Sequence, residues 1–212
     1  MILKKRVFLL GAMVAVLSFT ACKDEKKIEA EKAKVEEQAA TLKAEQEAEA
    51  KKIKEEARSK EIRATSIAAL ASNNEDLSTL VSALKAANLV EMMSTKGSYT
   101  VFAPNNNAFQ KLPSKLSIAE LAKEENKALL TSILQYHVVS GEITTDKLVK
   151  AIAGAKGNYS FKTMSGKELT ASMKKDQIII TDEKNNKVNI LTGNIKASNG
   201  IIHVVSDVLI MK

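Results

Sequence analysis

Between Lys23 and Arg63 the chain has no glycine, no proline and no aromatic residue. Glu, Lys, Ala and Gln dominate the stretch, and all are strong helix formers. Opposite charges recur four positions apart, as in Lys27 and Glu31, Glu47 and Lys51, Lys52 and Glu56, and Glu56 and Lys60. Each such pair supports a helix by a few tenths of a kcal/mol. From Lys23 to Thr65 there are 12 basic and 12 acidic side chains, so the segment is neutral. Large apolar residues are sparse. Ile28, Val35 and Leu42 follow a seven-residue spacing, but the next position is Glu49, and Ile53 comes eleven residues after Leu42. That is too short a repeat to define a coiled coil. The segment therefore cannot build a core, and whatever core the protein has must come from the residues after about Thr65. The leading expectation is a charged, solvated helical stalk over 22–64, which at 1.5 Å per residue would span about 60 Å. A partly disordered charged linker and a weak oligomeric coil are the other two readings.

Ahead of this segment the sequence has a different logic. Lys4, Lys5 and Arg6 form a basic cluster, and Val7 to Phe19 is almost wholly apolar. A basic start and a short apolar run are the layout of a secretory signal peptide. The run is shorter than the roughly 20 apolar residues that a spanning helix needs. Ala21 suits an ordinary signal peptidase, but Phe19 is too large for the third position before the cut. The stretch Phe19, Thr20, Ala21, Cys22 instead resembles a bacterial lipobox, in which the cysteine thiolate accepts a diacylglyceryl group. Cys22 is the only cysteine in the chain, which removes an internal disulfide framework as a rival use. Residues 1–21 are thus expected to be removed, and Cys22 to be the lipidation site that holds the protein to a membrane. Lys23 after the cysteine disfavours retention in the inner membrane. Lys23, Asp24 and Glu25 look like a short acidic tag for the outer face, or are the plain start of the stalk. The expected location is the outer membrane of a bacterial envelope, surface-exposed or facing the periplasm.

From Thr65 onward the texture is that of a folded domain, 65–212. Leu77, Leu80, Val81 and Leu84 lie on one helical face, with Asn88 as a left-handed stop. Ser117 to Glu120 reads as a capping box. Leu129, Leu130, Ile133 and Leu134 form another apolar face, and a fourth helix starts near Thr145. Strands follow. Tyr159, Phe161 and Thr163 alternate with polar residues, as do Leu169, Ala171 and Met173. Ser165-Gly166, Lys175-Asp176 and Asn185-Asn186 mark turns, and Gly200 to Met211 is a β-branched run. Helices first and strands later predict an α+β fold, with helices packed at one side of an antiparallel sheet.

Three ordered motifs carry a resemblance. The first is YTVFAPNNNAF, from Tyr99 to Phe109. The second is Tyr136, His137, Val138, Val139. The third is NGIIHVVSDVL, from Asn199 to Leu209. Together with Ser72 to Leu80, they resemble the fasciclin-domain family from about Thr65 to the C-terminus. Ser206 stands where the family usually has aspartate, and Met211 where it usually ends in proline. The resemblance implies a fasciclin-like sheet wedge or sandwich, and a role in adhesion or matrix interaction. It also points to Tyr136 and His137 as candidate partner contacts, since the corresponding region of animal members has been assigned to receptor binding. Each motif also has a folding explanation. Pro104 ends a strand because it lacks an N–H. Asn105 or Asn106 can cap a helix, and Asn199-Gly200 is a tight turn.

Other chemistries lack a sequence basis. The chain has two histidines, His137 and His203, and no cluster at metal-ligand spacing. Gly154 and Gly157 read as a loop rather than a phosphate cradle. His203, Ser206 and Asp207 are triad residue types, but strand alternation sends His203 and Ser206 to opposite faces. The formal charge of +7 falls to +4 once Lys4, Lys5 and Arg6 are removed. The 17 lysines after Thr65 are scattered, with no arginine among them, which is unlike a nucleic-acid site. The sequence thus predicts a non-catalytic module without cofactor or metal. It would be lipid-anchored at the cell envelope and bind an unidentified protein or glycan. The alternative is a structural spacer in the periplasm with no dedicated ligand.

Overall fold

The computed structural model describes residues 25–212. Cys22 and the signal segment 1–21 lie outside the described residues. The chain divides into two units, 1–51 and 52–212. Glu25–Ala64 is one α-helix of 40 residues, α1. In the first unit the described side chains of this helix are exposed, as its alternating charges require. Leu42 and Ile53 are both more than half exposed.

In the second unit, the last turns of α1 are fastened to the domain. Ser198 Oγ donates to Ile62 O at 2.7 Å, Ser198 N–H donates to Thr65 O at 2.9 Å, and Arg63 pairs with Glu91. Short helices follow: α2 (Ile67–Ser72), α3 (Ser78–Ala86) and α4 (Val90–Ser94). Asn88 has φ +57°, the left-handed stop after α3 expected from its sequence. Further along are α5 (Asn106–Gln110), α6 (Ile118–Leu121), α7 (Lys127–Tyr136) and α8 (Thr145–Gly154). Asn105 and Ser117 cap α5 and α6 by accepting from the N–H groups of Ala108 and Glu120. Gly154 closes α8 as its last residue, so of the two glycines read as a loop only Gly157, at φ +100°, sits in a turn.

Among the described residues, seven strands complete the fold: β1 (Tyr99–Pro104), β2 (Val138–Ser140), β3 (Asn158–Lys162), β4 (Glu168–Lys174), β5 (Gln177–Thr181), β6 (Lys187–Ala197) and β7 (Gly200–Val205). They form one sheet in the order β2-β1-β7-β6-β5-β4-β3. Neighbours are antiparallel except β1 and β7, which run parallel from Tyr99 opposite Gly200 to Pro104 opposite Val205. A parallel pair needs a long crossover, and all the chain between β1 and β7 supplies it. The sheet curls until its ends approach: Met164 N–H, just past β3, donates to Val138 O of β2 at 2.7 Å. β7 stops at Val205, short of the strand its composition suggested. The remaining residues belong to no strand or helix.

The core has two parts, on opposite faces of β1 and β7. Val101, Ala103, Ile202 and Val204 face the helical side, with Leu80, Leu84, Leu130 and Leu134. Phe102 and Val205 face the inside of the curled sheet, with Leu148, Phe161, Leu169, Ile180 and Val188. Every residue of β7 is buried. A strand covered on both faces reads as a near-continuous apolar run rather than an alternating one, and Ile201 to Val205 does so except at His203.

Candidate functional site

The C-terminal end of α7 places Tyr136 and His137 side by side, pointing into the interior. Tyr136 is fully buried and His137 nearly so. The Tyr136 hydroxyl donates to Glu168 O of β4 at 3.0 Å and accepts from Glu183 N–H at 3.1 Å. Burial, with the carboxylates of Asp182 and Glu183 nearby, pushes its pKa up to about 12. His137 Nδ1–H donates to Ile133 O at 2.8 Å, and Nε2 accepts from Leu209 N–H at 2.9 Å. Burial lowers its pKa to about 4, against the opposing effects of the Ile133 bond and the Asp182 charge. The His137 carbonyl accepts from Phe102 N–H of β1. The pair therefore ties α7 to β1, β4, the turn after β5 and the chain end. As the protein stands folded, neither side chain offers a surface to a partner.

His203 is also buried and lies flat against Phe102, with ring centroids 5.6 Å apart. Its Nδ1 accepts from Asn194 N–H at 3.2 Å, and its Nε2–H donates to Ile143 O at 2.8 Å. Burial lowers its pKa as well. The two histidines thus hold opposite tautomers, each set by a backbone carbonyl. Ser206 Oγ faces elsewhere: it donates to Asp207 Oδ2 at 2.7 Å and accepts from Asn189 N–H at 3.0 Å. His203, Ser206 and Asp207 are not brought together as a nucleophile and its base.

Sequence reasoning overlooked Asp182. It is buried and accepts four hydrogen bonds: from Lys184 N–H and Asn186 N–H on one oxygen, and from Asn186 Nδ2 and Ile210 N–H on the other. The available signal was an aspartate ending the strand Ile178 to Thr181, with Asn185-Asn186 three residues on; this is the spacing of a side-chain-closed turn. Among the described residues, every buried side-chain nitrogen or oxygen has a hydrogen-bond partner. No group of three or more His, Cys, Asp or Glu among them is placed to hold a metal ion. A cleft of about 350 Å³ lies between α5, the β5–β6 turn and the C-terminal segment, lined by Lys111, Pro113, Asn186, Lys187 and Asp207.

The fasciclin domain model matches residues 75–211, and the chain belongs to that family. Protein sll1483 of Synechocystis is 39% identical over 147 residues, covering 69% of this chain and 74% of that protein. Immunogenic protein MPB70 of Mycobacterium bovis is 34% identical over 148 residues, covering 68% of this chain and 67% of that one. Cell surface glycolipoprotein MPB83 of the same species is 33% identical, over 68% of this chain and 59% of its own. Among solved structures, a FAS1 domain pair from the insect cell adhesion molecule fasciclin I aligns over 69% of this chain with a TM-score of 0.60. The two are 20% identical and this chain spans about half, 51%, of that one, so the likeness concerns the fold.

Proposed function

We propose that the protein is a lipid-anchored component of a bacterial cell envelope whose fasciclin domain serves adhesion or binding to a protein or glycan, without catalysis. The observation that carries this reading is the kinship with MPB83, named a cell surface glycolipoprotein, in a chain with its own lipobox-like Cys22. The interior geometry is compatible. Tyr136, His137 and His203 spend their hydrogen-bonding capacity on internal partners, so recognition falls to the outer surface. In this reading α1 is the spacer between lipid and domain.

Cys22→Ser tests the anchor. The wild-type chain should fractionate with the outer membrane and the variant should be soluble. A variant that stays with the membrane would refute lipidation at Cys22. Deleting most of α1 while keeping its domain-bound last turns separates the two functional readings. For an adhesin, the shortened protein loses reach but its domain still binds. For a spacer, the envelope is disturbed and no ligand is found.

A further inference from the structure

The segment after β7 belongs to no ladder, yet two of its residues are buried. Leu209 is wholly buried and Val208 nearly so. A buried backbone outside regular structure must find other partners for its N–H groups, and here they are side chains. Leu209 N–H donates to His137 Nε2 at 2.9 Å, Ile210 N–H to Asp182 Oδ2 at 3.0 Å, and Lys212 N–H to Glu183 Oε2 at 3.1 Å. All three acceptors are titratable groups. The segment also divides two spaces. On one side is the open cleft beside Lys111 and Lys187; on the other is an apolar seam lined by Leu116, Leu130, Ile133 and the His137 ring. Val208 and Ile210 form part of the wall of both.

We propose that residues 208–212 are an acid-released strap: protonation of His137 converts the acceptor of the Leu209 N–H into a donor, the strap lifts, and the apolar seam opens into the cleft. The chemistry follows from the tautomer. Nδ1–H is committed to Ile133 O, so the lone pair on Nε2 is all the ring offers Leu209. An imidazolium would set N–H against N–H in a buried site, and such a mismatch is costly.

The charged groups around the ring are few. Asp182 acts on His137 by attraction. Beyond it, Glu183 pairs with Lys167 at 3.6 Å and holds the backbone of Lys212. Toward α3, β1 and α7 the ring faces Leu80, Val101, Pro104, Ile133 and Leu134. The closed strap holds His137 at about 4, whereas a lifted strap returns it toward the ordinary value of about 6.5. The closed state binds fewer protons. It is therefore fully favoured above the ordinary value and weakened as pH falls toward the closed-state value.

Residue-resolved amide hydrogen exchange on the full chain tests this. After correction for the intrinsic rate, protection of the Leu209 amide should fall about 20-fold from about pH 7 to about pH 5. The ladder amides of β7 should stay better protected throughout. His137→Gln keeps an acceptor but cannot titrate, and should flatten the Leu209 response. The wild-type comparison of Leu209 with β7 requires no variant to fold. If Leu209 exchanges in step with β7 at every pH, or its protection does not change, there is no separate strap.

Discussion

Replacing Tyr136 by phenylalanine removes one oxygen and two hydrogen bonds, and leaves the Glu183 N–H and Glu168 carbonyl without that partner. A buried polar group stripped of its partner costs about 1–3 kcal/mol, so Tyr136→Phe should lower the unfolding free energy by that much, read as a lower urea midpoint with an unchanged slope. His137 and His203 set the acid limit of stability. Both have pKa values lowered by burial, His137 to about 4. A histidine kept neutral in the fold contributes its full stability above about 6.5, its unfolded value, and loses it as pH falls through the window to the folded value. Chemical denaturation should therefore show stability constant above neutrality and declining toward about pH 4. A profile flat through that window would contradict the buried neutral assignment. The tyrosine–histidine pair and its burial could be anticipated from the sequence, but the groups it bonds to could not. Its partners Glu168, Glu183 and Leu209 lie 32, 47 and 72 residues away, beyond the reach of any local pattern.

Among the elements, those whose signal is local were legible. The faces of α3 and α7, the caps Asn105 and Ser117, and the turns with φ +55° at Lys175 and +63° at Asn185 all follow from nearby residues. Those defined by distant contacts were not. β2 has three residues and exists because Thr100 and Val101 pair with Val139 and Val138. The parallel pairing of β1 with β7 leaves no mark in either strand. α3 is capped from outside: Thr79 N–H donates to Asn106 Oδ1 at 3.0 Å, while Asn106 Nδ2 donates to Glu75 O at 2.8 Å. Loss of a helix cap costs about 1 kcal/mol, and Asn106→Ala should lower thermal stability accordingly. Asn199 is a stronger joint. Fully buried, it accepts from Ile67 N–H and donates to Met93 O and Thr95 O, joining α2 and α4 to the β6–β7 turn. Asn199→Ala strands several groups at once and should cost about 3 kcal/mol or more by the same denaturation measurement. Beside it, a Cβ on Gly200 would lie 2.0 Å from Tyr99 O, so the turn admits no larger residue without moving β1.

For the molecule as a whole, Tyr136, His137, Asn199 and His203 are all turned into the interior of the fasciclin domain. The turn that Asn199 closes is also where Ser198 grips the end of α1 at Ile62 and Thr65, so the helix enters the domain through its core-bearing hairpin. On our proposal Cys22 carries the lipid, α1 the distance and the fasciclin domain the recognition. The measurement that tests this most directly is protease treatment of intact cells, reading the fate of the fasciclin domain before and after lysis. Surface presentation predicts that the domain is cleaved on intact cells while periplasmic markers survive. A domain that resists cleavage until the cells are lysed would contradict adhesion as its role and leave the periplasmic spacer.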